Sequence, residues 1–128
     1  MRLLNKVIFH CVVPICLGAC IYLFLRPGFA FSIREIPRVQ HPDTILEKLF
    51  VFSLPDFFWS YSFASALYLF AFQYHINYKK AVLGNVIFIL GSEMVQVLFP
   101  ERFTFDIYDL IAAGCAIILS TFMLKSDI

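Results

Sequence analysis

The chain has 128 residues, 61% of them hydrophobic and only 15% charged, with a formal net charge of +1. So apolar a composition at this length excludes an ordinary soluble domain, and ten basic against nine acidic residues leave no cationic excess to draw a nucleic acid. The expected solvent is lipid, and the expected fold is a single all-α transmembrane domain over residues 1–128.

Four apolar segments match the roughly 20 residues that a helix needs to cross about 30 Å of hydrocarbon. They run approximately over residues 7–25, 57–74, 81–99 and 107–124. Each must be helical, because lipid cannot satisfy backbone amides and the period-two alternation of a barrel strand is absent. A four-helix transmembrane bundle follows, with a short interfacial helix between the first two crossings.

The first segment carries no Asp, Glu, Lys or Arg. Arg2 and Lys6 precede it, and Gly28, Phe29 and Ala30 have the small-residue spacing of a signal-peptide cleavage site. Its length of about 19 residues exceeds the usual apolar core of a signal peptide, so a retained helix is expected. Gly18, Ala19 and Cys20 form a small-residue patch suited to close helix approach.

The connection over residues 26–54 is punctuated by Pro27, Pro37 and Pro42, which predicts an extended or irregular first half. Thr44 and Glu47 then match a capping box, and Ile45, Leu46, Leu49 and Phe50 fall on one face. That pattern predicts a short helix over 43–52 lying in the membrane interface. It reads either as a lid that grips lipid over the bundle or as an amphipathic linker hiding its apolar face; Phe29, Phe31 and Ile33 are further candidates to dip toward lipid.

Pro55 and Asp56 open the second crossing, with Trp59 close behind. Lys79 and Lys80 precede the third as a positive stop signal. Within the third, Glu93 lies about six residues before the end, on the order of 9 Å below the boundary at 1.5 Å per residue. An unpaired carboxylate at such a depth costs about 2.5–3.5 kcal/mol, so Glu93 should face the bundle interior, with Gln96 on the same face. Asn85 is expected near the opposite end of this helix, where its position keeps it from completing a polar site. Asp106 and Asp109 repeat the i, i+3 spacing where the fourth helix opens. Asp106 suits an N-cap; Asp109 lies a turn deeper, where capping explains it less well. Ala112, Ala113, Gly114 and Ala116 form a second small-residue patch.

Because successive loops alternate sides, Asp56, Glu93, Gln96, Arg102, Asp106 and Asp109 collect at one end of the bundle whatever its orientation. Eight of the nine acidic residues belong to that half, leaving Asp127 on the other. Arg102 is the natural bidentate partner for the carboxylates. Basic residues divide evenly by count, but those near the N-terminus, the loop at 75–80 and the C-terminus lie densely against helix ends. This density favours cytoplasmic N- and C-termini.

The remaining residues favour ordinary structural roles. Cys11, Cys16, Cys20 and Cys115 lie inside predicted spans with no paired-cysteine motif, and read as small packing residues. His10, His41 and His75 are too dispersed for a common site. Trp59, Tyr61, Tyr68, Tyr74 and Tyr78 read as interfacial anchors or core. No cofactor or metal is expected, since no dedicated ligand motif occurs, although three carboxylates and a glutamine are the oxygen ligands a hard cation takes.

Glu93-x-x-Gln96, then Arg102, Asp106 and Asp109 leading into a small-residue helix, resembles the pattern of VanZ-like membrane proteins. The resemblance covers roughly residues 91–120. It implies a small polytopic protein of the bacterial cell envelope, in the cytoplasmic membrane, from a family named for glycopeptide resistance. The pattern departs at Ala113 and Ala116, where the family commonly has an asparagine and a glycine.

Two classes of function remain. In the first, the acidic and arginine cluster binds a lipid-linked or cell-wall-precursor headgroup on the outer side. An enzymatic version makes Glu93 or Asp109 a general base, with Arg102 binding phosphate or carboxylate. In the second, the chain is a non-catalytic membrane subunit that stabilises or recruits a partner protein, the cluster fixing helix register. A small transporter or ion-path component is a further alternative, and membrane lipid or a second copy of the chain is an expected partner.

Overall fold

The computed structural model describes residues 3–25, 44–98 and 107–125. All regular structure in these residues is helical, and they form four long rods. Helix α1 is Leu3–Leu25, α2 covers residues 45–73, α3 is Tyr78–Leu98 and α4 is Ile107–Lys125. Two of them, α1 and α4, are long and apolar enough to cross a membrane.

The expected boundary between an interfacial helix at 43–52 and a crossing at 57–74 is not present. Ile45–Lys48 is α-helical, Leu49–Ser53 is a π-helical turn, and Leu54–Gln73 continues the same rod. Pro55 explains both the expectation and its failure. Proline lacks an N–H, and in a regular α-helix its ring presses on the carbonyl four residues back, here Val51. Widening the preceding turn, so that the Leu54 N–H bonds to the Leu49 carbonyl, accommodates the ring without ending the helix. The same device occurs in α1, where Ile8–Val12 is π-helical, the Val13 N–H bonds to the Ile8 carbonyl, and Pro14 follows.

The capping box forms as expected. The Thr44 Oγ1 accepts the Glu47 N–H at 3.2 Å, and the Thr44 N–H donates to Glu47 Oε2 at 3.4 Å. Beyond it Ile45, Leu46 and Phe50 are exposed. Between α2 and α3 the chain turns through His75, whose φ of 54° is left-handed. Asn77 Oδ1 then accepts the Lys79 N–H at 2.9 Å, satisfying an amide at the start of α3.

Helix α2 is the hub: α1, α3 and α4 all pack on it, α1 and α4 most extensively. Small residues permit this. Ser62, Ala64, Ser65 and Ala71 are buried on different sides of α2, and Ala113 and Ala116 on α4. Gly18 brings α1 so close that an added Cβ would stand 3.1 Å from Phe58 Cβ and 3.2 Å from the Pro55 carbonyl oxygen. Gly114, by contrast, has open space around it, so the small-residue patch on α4 serves contact only through its alanines. Ala64, Ile89, Ala113 and Ile117 form one core cluster, and Tyr68, Leu69 and Leu124 another.

Large apolar side chains cover the exterior, among them Phe9, Phe70, Ile87, Met94, Ile118 and Phe122. Among the buried residues, Ser53, Ser62, Ser65, Asn85 and Ser120 add polar groups to a mainly apolar core. So much apolar side chain on the outside is uncommon for a soluble monomer. Cys16, Cys20 and Cys115 are exposed, correcting the expectation that they pack between helices; Cys11 is half-buried.

Candidate functional site

Three of the expected site residues meet in one cavity of about 610 Å³. Asp56 comes from α2, one turn past the π turn; Glu93 from the last third of α3; Asp109 from the first turn of α4. Antiparallel neighbours bring these positions to a common level. The Ser53 hydroxyl, exposed to α4 where the helix widens before Pro55, donates to Asp109 Oδ1 at 3.2 Å and ties the two helices there.

Gln96 lies on α3 three residues beyond Glu93, but its side chain is outside the described residues, as are Arg102 and Asp106 altogether. Of the six expected residues, Asp56, Glu93 and Asp109 line one cavity. Among the described residues no three Asp, Glu, His or Cys side chains are placed to hold a metal ion. The carboxylates line the wall of a cavity rather than converge on a point.

The rest of the wall mixes apolar and aromatic residues, Trp59 and Phe63 from α2, Ile15 from α1 and Phe88 from α3, with Ser60, Ser62, Ser92 and Asn85. The Phe63 and Phe88 rings stack at a centroid distance of 4.1 Å. Two of the lining hydroxyls are engaged: Ser62 donates to the Cys11 carbonyl at 2.7 Å and Ser92 to the Ile89 carbonyl at 2.7 Å.

Asn85 is the residue that sequence reasoning misplaced. It lines this same cavity, is only 1% exposed, and neither its Nδ2 nor its Oδ1 has a hydrogen-bond partner. It sits eight residues before Glu93, about 12 Å along the helix. Depth along α3 was taken as separation, whereas the cavity is deep enough to span it. The available signal was the face shared by Asn85, Ile89, Ser92 and Glu93. Glu93 Oε2 is likewise buried and unpartnered. An amide or carboxylate stripped of water without a partner costs on the order of 1–3 kcal/mol or more, so an occupant that bonds to these three atoms recovers that cost.

The opposite end of the bundle is basic. Lys6 lies over the Phe72 ring at 5.9 Å and Lys125 over the Tyr78 ring at 5.5 Å, which gathers the start of α1, the end of α2, the start of α3 and the end of α4. Nearby, His10 is not solitary: its Nδ1 lies 2.8 Å from the buried Tyr61 hydroxyl, linking α1 to α2. No protein-family model, no curated protein and no solved structure matches this chain.

Proposed function

We propose that the chain is a four-helix integral membrane protein whose acidic cavity binds the polar headgroup of an amphiphile, a lipid-linked molecule or cell-wall precursor. The observation that carries this reading is the convergence of Asp56, Glu93 and Asp109, from three helices, on one cavity in an otherwise apolar bundle. Carboxylates held among apolar helices are costly and mark a site. The basic end, with Lys6 and Lys125, supports a cytoplasmic side there, and with it a cavity that opens on the outer side of a bacterial cytoplasmic membrane.

The reading includes membership of the VanZ-like family. Two of its motif positions, Glu93 and Asp109, share the cavity, and Ala113, where that pattern has an asparagine, lines it too. Asn85 returns an amide to the same space from the neighbouring helix. The test is a cellular one: Glu93→Gln and Asp109→Asn abolish a cell-envelope phenotype such as glycopeptide tolerance while the protein still inserts and extracts folded. Full phenotype in both variants overturns the reading.

A second reading, a non-catalytic subunit that holds a partner protein, is favoured by the Ser53 to Asp109 hydrogen bond, which uses a site carboxylate to fix α2 against α4. It predicts that Asp109→Asn lowers thermal stability and releases the partner.

A further inference from the structure

The cavity is a lateral groove. Its α2 wall is Asp56, Trp59, Ser60, Phe63 and Ala66, one face of that helix, flanked by Ile15 of α1 and by α3 from Asn85 to Glu93. Helices α1 and α3 both pack on α2 without a comparable interface with each other, and Trp59, Phe63 and Phe88 are all partly exposed. The groove therefore faces the surrounding lipid between α1 and α3, and an occupant enters sideways.

Chemistry selects the occupant. At one end stand three carboxylates, one of which, Glu93, presents an oxygen with no partner. That end favours a cation with N–H donors. Among the described residues no three acidic, His or Cys side chains are grouped as a small metal ion requires. Aromatic faces beside them, Trp59 first, suit an organic cation, which gains from cation–π contact. About 12 Å further along α3, Asn85 offers one donor and one acceptor, both unused. An amphiphile carrying an ammonium group, with ester, amide or hydroxyl groups below it and acyl chains beyond, matches that sequence of acid, aromatic wall and amide.

We propose that the groove between α1 and α3 takes a lipid with an ammonium-bearing headgroup, the ammonium at Glu93 among the carboxylates and the polar linkage of the lipid at Asn85. This rests on the headgroup-binding reading and names the class of headgroup.

Trp59 is the only tryptophan in the chain and lines the groove, so its fluorescence reports occupancy directly. The full-length protein in nanodiscs of phosphatidylglycerol is titrated with brominated phosphatidylethanolamine, and in parallel with brominated phosphatidylglycerol. The expected result is saturable quenching by the ethanolamine lipid with about fivefold or greater preference over the glycerol lipid, as one charge-assisted bond gives. Glu93→Gln removes the preference, and Asn85→Leu weakens the saturable component of quenching. Non-saturable quenching by bulk brominated lipid in each variant verifies that Trp59 remains folded and embedded.

Equal or reversed preference with saturable, Glu93-dependent quenching overturns the ammonium class and leaves headgroup binding standing. Linear quenching by both lipids, unchanged in both variants, overturns the two together. Relief of quenching by free ethanolamine at matching concentration overturns a lipid as the source of the amine; no relief supports it.

Discussion

The two ends of the bundle are built on opposite plans. Around Asp56, Glu93 and Asp109 the helices part to leave a cavity of about 610 Å³ with unpartnered polar atoms in its wall. Around Tyr68, Leu69 and Leu124 they close, with Tyr68 and Leu124 each 1% exposed, although the Tyr68 hydroxyl is also without a hydrogen-bond partner. The closed end holds the helices together, which is what lets the other end stay open. Pro55 and its π turn lie at the open end, where a continuous α2 positions both Asp56 and Ser53.

Substitutions separate helix-packing positions from the cavity wall by size and sign. Leu124→Ala, at the closed end, removes packing that cannot be recovered and lowers stability by about 2–4 kcal/mol, read as reduced thermal stability in detergent. Gly18→Ala forces α1 away from the Pro55 carbonyl and the Phe58 side chain, at a cost of about 1–3 kcal/mol. Gly114→Ala, with nothing near it, is its control and leaves the protein unchanged or slightly more stable.

In the cavity wall the sign reverses. Asn85→Leu replaces an unpartnered amide by an apolar side chain and raises the stability of the lipid-free protein by about 1 kcal/mol, while lowering occupancy of the groove. A fall in stability instead would assign Asn85 to the framework. Smallest of all, Ser53→Ala removes one bond to Asp109 and costs about 0.6 kcal/mol, the average for a hydrogen bond between membrane helices.

Much of this was legible in the sequence, and what was not has definite causes. Parity of crossings put Asp56, Glu93 and Asp109 at one end without any side-chain detail. The Thr44 and Glu47 capping box was readable because both partners lie within one turn. The join between the interfacial segment and α2 was not, since Pro55 ordinarily marks a helix start and only the π turn carries the helix past it. Asn85 was misjudged because sequence gives depth along one helix and says nothing of how far its neighbours stand away. The bond between His10 and Tyr61 was hidden for a like reason, 51 residues separating them.

The account depends most on the shared cavity of α2 and α3. In a background with Cys11, Cys16, Cys20 and Cys115 replaced by serine, the double variant Asp56→Cys with Glu93→Cys is treated in membranes with a short bifunctional thiol reagent. The account predicts an intramolecular cross-link for this pair and none for Asp56→Cys with Tyr78→Cys, which pairs the open end of α2 with the basic end of α3. Cross-linking of the Tyr78 pair, with none at Glu93, would contradict it.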